Sequence, residues 1–152
     1  MDKIIDEKEA IRRLSNICAK QEKSPNDILK KLRTWGFNSN DSKQILEKLQ
    51  GSNFINDLRF ASAYVNDKLK FNKWGKKKLA YMLSQNGIHS SVIADAIDSI
   101  NQEDYEAIIS EELRKKAKTI KSSNKREQEI KLMKFAESRG YEFEICRRLI
   151  SL

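Results

Sequence analysis

Three glycines punctuate the chain at a near-constant period. They stand in Trp35-Gly36-Phe37, Asn86-Gly87-Ile88 and Arg139-Gly140-Tyr141, at intervals of 51 and 53 residues, and each is followed at once by a bulky apolar residue. A glycine that closes a helix in the left-handed conformation, with the next side chain folded back onto that helix, leaves this signature. The flanks repeat too. Leu32, Leu83 and Ala136 stand four residues before the glycine, Leu29, Ala80 and Met133 seven before, Ile28, Leu79 and Leu132 eight before, and Leu46, Ile97 and Ile150 ten after. The preceding offsets put one apolar stripe on one helix. Their recurrence reads as an internal repeat of about 50 residues.

Each repeat resolves into three helices. In the first, Ala10, Leu14, Ile17 and Cys18 stripe a helix, and Ser24-Pro25-Asn26-Asp27 opens a second with an N-cap serine, an N1 proline and a capping-box acid. Ile45, Leu46 and Leu49 stripe a third, closed near Gly51. In the second repeat Asn56 caps a helix carrying Leu58, Ala61, Val65 and Leu69, Gly75 opens the next, and Val92, Ile93, Ala96, Ile97 and Ile100 stripe the third. In the last, Asn101 caps a long helix with Tyr105, Ile109, Leu113, Ala117 and Ile120. Ser122-Ser123-Asn124 is a turn, and Phe143, Ile145, Cys146, Leu149 and Ile150 stripe a helix running to the C-terminus. Alternation never persists long enough for a strand, and one Pro and five Gly are too few for a many-hairpin protein. The expected fold is all-α: three tandem three-helix repeats over 1–53, 54–100 and 101–152. Stacked units touch mainly their neighbours, so the expected form is elongated.

Several function classes are disfavoured. No apolar run approaches a membrane span, and the acidic N-terminus lacks a signal-peptide core, so a cytoplasmic, soluble chain with no membrane partner is expected. Cys18 and Cys146 are far apart and outside any CxxC pair, and read as small buried apolar residues. His89 is the only histidine; it sits where a helix should begin and reads as a surface or capping residue. No Ser–His–acid or His–Cys set can be assembled. Gly75-Lys76 lacks the remaining residues of a phosphate loop. Glu111-Glu112 and Glu103-Asp104 read as exposed or helix-start acids. The expectation is a non-enzyme without metal or cofactor.

The net charge of +8 is segregated. Lys68 to Ala94 holds no acid and six bases: Lys68, Lys70, Lys73, Lys76, Lys77 and Lys78. Leu113 to Arg126 holds no acid and seven: Arg114, Lys115, Lys116, Lys118, Lys121, Lys125 and Arg126. The rest of the chain nets −5, so the positive charge is gathered as for an anionic partner. On a continuous helix Arg114, Lys118 and Lys121 fall within about 60° of arc, away from the apolar stripe. The stretch Phe71 to Lys78 interleaves aromatics with lysines ahead of a helix, where lysines and free first-turn amides could hold phosphate. Phe71 and Trp74 are expected to pack between helices. Lys73, Lys76, Lys77 and Lys78, together with Arg114, Lys118 and Lys121, form the candidate partner-facing surface. Helix–Gly–helix pairs also fit a helix-turn-helix, but Asp41, Glu47, Asp95 and Asp98 oppose a phosphate-facing reader helix.

The segment Gly51-Ser52-Asn53-Phe54-Ile55-Asn56-Asp57-Leu58-Arg59-Phe60-Ala61 resembles the central signature of the RecX family of recombinase regulators. Trp74-Gly75, Leu79 to Leu83 and Asn86-Gly87-Ile88 continue the same pattern, and Lys134 to Tyr141 resembles the closing Arg-Gly-Phe element. The likeness runs from about residue 8 to 152. On it, Asp57, Arg59, Phe60, Ala61, Gly75, Gly87, Arg139 and Gly140 are signature residues of mainly structural role. Leu58 replaces the usual acid and Tyr141 the closing Phe. The resemblance implies a monomeric curved rod that binds the RecA filament and inhibits or modulates strand exchange and ATP hydrolysis during recombination, DNA repair and the SOS response, with direct contact to single- or double-stranded DNA as a further option. The alternative is a non-specific DNA-binding helical module that competes for DNA.

Circular dichroism is expected to show a predominantly helical chain, and small-angle scattering an elongated one. Appreciable strand content or a compact sphere would contradict the repeat reading.

Overall fold

The computed structural model describes residues 5–150. Among them every regular element is helical, joined by short turns and loops, and there is no strand. The helices are α1 (Glu7–Lys20), α2 (Pro25–Thr34), α3 (Ser39–Gly51), α4 (Asp57–Asp67), α5 (Lys76–Gln85), α6 (Ser90–Asp98), α7 (Gln102–Thr119), α8 (Lys125–Arg139) and α9 (Phe143–Ile150). A π-helical turn, Lys68–Asn72, continues α4. The sequence carries α9 to the C-terminus; Ser151 and Leu152 lie outside the described residues.

The helix boundaries follow the caps. Ser24 and Asp27 form a reciprocal capping box with Pro25 at N1, which satisfies two first-turn donors. Asn38, Asn101 and Asn124 accept from the third helical amide of α3, α7 and α8, and Asn56 accepts from Arg59 N–H at 2.8 Å. His89 Nδ1 accepts from Ser91 N–H at the start of α6.

The three glycines behave alike. Gly36, Gly87 and Gly140 have φ of 88°, 83° and 83°. The glycine N–H donates to Arg33, Ser84 and Glu137 carbonyls. The following N–H of Phe37, Ile88 and Tyr141 reaches back to Leu32, Leu83 and Ala136. This is the Schellman closure, and it explains why the residue four before each glycine is apolar and the residue after it is buried.

The chain divides into two compact units. One comprises Met1–Ala63 with Leu83–Ile93, the other Tyr64–Met82 with Ala94–Leu152, so the division runs through α4, α5 and α6. The core of the first unit is Ala10, Leu14, Cys18, Ile28, Leu32, Trp35, Phe37, Ile45, Leu46, Leu49 and Ile55. Within this unit Asn26, near the start of α2, donates to the Gln85 carbonyl at the end of α5, and its amide lies where a Gly87 side chain would begin. The core of the second is Tyr105, Ile109, Leu113, Leu132, Ala136, Tyr141 and Cys146.

Two apolar stripes differ from expectation. On α4 the buried residues are Phe60, Ala61 and Val65, while Leu58 is 46% exposed. Leu58 sits in the first turn of α4, between the buried Ile55 and Phe60. Phe143, at the first position of α9, is likewise exposed.

In the second unit the start of α5 lies directly on the end of α8. Gly75 N–H donates to the Arg139 carbonyl at 2.6 Å and Lys77 N–H to the Gly140 carbonyl at 3.1 Å. A Cβ on Gly75 would come within 3.0 Å of the Gly140 carbonyl, and one on Gly140 within 3.0 Å of the Lys78 backbone. Gly75→Ala and Gly140→Ala are therefore expected to cost roughly 2–4 kcal/mol from steric overlap. Gly36→Ala should cost roughly 1 kcal/mol for its left-handed backbone. Urea unfolding followed by circular dichroism checks the order; a Gly140→Ala variant no less stable than Gly36→Ala would contradict it.

Candidate functional site

The basic stretch after α4 is built by three local features. The π-helical turn widens the last turn of the α4 extension. Lys73 then closes it in the left-handed region, at φ 57° and ψ 36°, its N–H donating to the Lys68 carbonyl and its own carbonyl accepting from Tyr141 Oη at 2.6 Å. Trp74 follows, half-buried, its ring tilted against Tyr64 at 6.3 Å between centroids. Lys68 Nζ lies 5.2 Å and Lys78 Nζ 4.7 Å from the Trp74 ring centroid, and Lys68 also reaches Tyr64 at 5.6 Å. These are cation–π distances.

The first-turn amides of α5 are not free for phosphate. Gly75 and Lys77 N–H are bound by α8 carbonyls, and Lys76 N–H donates to Tyr105 Oη at 2.8 Å. Any anion here is held by side chains. Of these, Lys76 Nζ donates to Gln102 at 2.8 Å and lies 4.8 Å from the Tyr105 ring. Lys78 Nζ reaches the Ser138 carbonyl at 3.4 Å. Lys77 lines a concavity of about 690 Å³ with Arg126, Ile130, Met133, Lys134 and Phe143 among its walls.

Phe71 departs from the expectation of packing. It is 71% exposed, with Lys70 Nζ 5.2 Å from its ring. Trp74 does pack. On a uniform helix Phe71 already falls about 120° from Val65, off the apolar face, and the π-turn leaves it outside the core.

The second basic group is rearranged as well. α7 ends at Thr119, so Lys121 stands beyond the helix and is not on one ridge with Arg114 and Lys118. Lys121 instead shares a concavity with Lys116, Lys131 and Lys134, and its carbonyl accepts from Lys131 Nζ at 3.0 Å. Arg114 pairs with Glu111 at 2.6 Å, and this bond holds the Glu111 carboxyl below its usual range. The acid just outside the acid-free window thus offsets part of its charge. Glu112 is not an exposed acid: its side chain is 12% exposed and bridges Arg139 at 3.0 Å. Arg139 also lies 4.7 Å from the Phe135 ring.

The remaining signature residues sit in the scaffold. Arg59 holds both oxygens of Glu22, at 2.7 and 2.8 Å, and the carbonyls of Asn53 and Phe54 at 3.0 and 3.3 Å, tying two loops of the first unit. Phe60 and Ala61 are buried. Tyr105, fully buried, donates to Glu142, and burial with that bond raises its phenol pKa. Cys146 is buried too, which pushes its thiol up to about 11. Among the described residues no His, Cys, Asp or Glu group could hold a metal ion, and no helix is long and apolar enough to cross a membrane.

The chain is similar to known proteins in sequence and in fold. A family model described as "RecX, second three-helix domain" matches residues 56–97. "Regulatory protein RecX" of Clostridium acetobutylicum is 30% identical over 147 residues, covering 91% of this chain and 68% of that protein. The protein of the same name from Clostridium perfringens is 29% identical over 133 residues, covering 86% of this chain and 62% of that protein, so this chain spans less than two thirds of that relative's length. In fold, the crystal structure of regulatory protein RecX superposes with a TM-score of 0.87 at 23% identity, covering 96% of this chain and 72% of that one. RecX from Lactobacillus salivarius gives 0.84 at 20% identity, covering 95% and 94%.

Asp57 offers a test of the scaffold. Its Oδ1 is buried without a hydrogen-bond partner, and burial raises the carboxyl pKa. The folded chain then holds this proton more tightly than the unfolded chain, so the charge costs stability as pH rises above the unfolded value of about 3.9. The stability of Asp57→Asn relative to the parent is expected to increase between pH 4 and pH 7 in urea titrations. A relative loss over that range would mean that the ionised carboxylate is favourably held.

Proposed function

This chain belongs to the RecX family, and from that premise we propose that it is a regulator of the RecA recombinase. In this reading it binds the RecA–DNA filament as a monomer in the cytoplasm and inhibits or modulates strand exchange and the coupled ATP hydrolysis, during recombination and DNA repair. It acts by binding and not by catalysis. In this reading the chain is three three-helix units, 1–53, 54–100 and 101–152, of which the last two carry the residues that meet the filament.

The observation that carries this reading is the family likeness over nine tenths of the chain, 91% for the Clostridium acetobutylicum relative. The charge distribution supports it independently. The second unit holds the first acid-free window up to Met82, with all six of its bases, and the whole of the second window, and such gathered positive charge suits an anionic partner surface. Lys73, Lys76, Lys77, Lys78, Arg114, Lys118 and Lys121 are the proposed contact residues. Lys77 is the best placed of the first four, since its neighbours Lys76 and Lys78 are drawn onto Tyr105 and Trp74.

Replacing Lys76, Lys77 and Lys78 by Gln keeps length and helix propensity. Lys77 is exposed, and the ring contacts of the half-buried Lys76 and Lys78 are worth about 1 kcal/mol each, so circular dichroism should stay native. In a titration of RecA ATPase on single-stranded DNA, inhibition by the triple variant should be weaker than by the parent at low salt, and the difference should shrink at high salt. Equal inhibition at both salts would remove these lysines from the interface. No inhibition by the parent chain would remove RecA as the target.

A further inference from the structure

We infer that the Lys68–Trp74 segment is a binding site for single-stranded nucleic acid, in which an unpaired base stacks on Phe71 and the lysines around it hold the flanking phosphates. This goes beyond the filament reading and does not rest on it, because it requires no recombinase.

Four observations converge on the segment. The first is exposure: at 71%, Phe71 is the most exposed large apolar side chain among the described residues, and with Lys70 over one face of the ring the side chain still stands largely in water. The second is backbone: the ring is carried on a π-helical turn, a rare element concentrated at functional sites. The third is strain: the turn is closed by Lys73 at φ 57°, in the left-handed region, where an unbranched cationic side chain has no advantage of its own over glycine or asparagine. The fourth is charge: Lys70 stands beside the Phe71 ring, Lys68 and Lys78 beside Trp74, and no carboxylate occurs from Lys68 to Ala94.

The chemistry of the partner follows from this pairing. A protein hot spot sets its aromatic anchor in an apolar neighbourhood from which charges are depleted. Here the ring stands among ammonium groups, which disfavours an apolar protein pocket and favours a ligand that alternates flat rings with negative charge. Single strands do so, since their bases are unstacked and each has a π-face, and stacking on an aromatic side chain is tolerant of sequence. A duplex keeps its bases paired, so it can use the lysines but not the ring. The site should therefore prefer single strands and take any base.

The test is fluorescence anisotropy of the full chain with a labelled oligothymidine, and with a duplex of the same length, in the absence of RecA. The parent chain is expected to bind the single strand more tightly. Phe71→Ala should weaken single-strand binding at least about five-fold, leave duplex binding unchanged and keep the same salt slope, since no charge is lost. Phe71→Trp should restore it, and Phe71→Leu, which keeps the apolar volume, should not. Lys70→Gln should instead lower the salt slope for both DNAs. Equal affinity for the two DNAs, or unchanged binding by Phe71→Ala, overturns the site. So does a Phe71→Ala variant that keeps single-strand binding but no longer inhibits RecA ATPase: the ring is then an anchor for protein, and the filament reading stands without it. Circular dichroism melts of each variant separate loss of binding from loss of fold.

Discussion

The second unit depends on one helix end meeting another. The last carbonyls of α8 have no partner within their own helix, and the first amides of α5 have none within theirs. The two ends satisfy each other through Gly75 to Arg139 and Lys77 to Gly140. The negative end of one helix dipole thereby faces the positive end of another. The approach is too close for a side chain at either glycine. Around this junction Tyr105 accepts from Lys76 N–H while Tyr141 donates to the Lys73 carbonyl, so two buried phenols pin the loop that carries the lysines.

The junction has a functional consequence. It removes the backbone amides as an anion site and leaves side chains to do that work. It also fixes where those side chains start: Lys76, Lys77 and Lys78 leave the rim of a rigid helix–helix contact, while Lys68, Lys70 and Phe71 leave the turn just before it. A comparable contact occurs within the first unit, where Asn26 reaches the Gln85 carbonyl beside Gly87. Asn26 stands ten residues before Gly36, as Lys77 stands ten before Gly87, so the same position of the repeat is used twice.

Much of this was legible in the residues. The glycines, the caps and the apolar stripes are local, and each has its own chemical signature: a missing Cβ, a short polar side chain, a helical spacing. They therefore mark the nine helices of the described residues and the glycines that close α2, α5 and α8. What escaped was whatever depends on a break in periodicity or on contacts between distant segments. The early end of α7, which removed Lys121 from its ridge, leaves no pattern in a helical wheel, whereas the outward position of Phe71, about 120° from Val65, does. The partners of Glu112 and of the α5 amides lie 27 and more residues away in sequence, so their burial was invisible. The closeness of Gly75 to Gly140 was hidden for the same reason.

The central claim is that the basic face of the second unit meets the recombinase filament. Hydrogen–deuterium exchange of the chain, alone and with RecA assembled on single-stranded DNA, tests it most directly. The account predicts added protection in residues 68–78 and 113–121, with α1 and α3 unchanged. Protection confined to α1–α3, or none anywhere under conditions where the chain co-sediments with the filament, would contradict it.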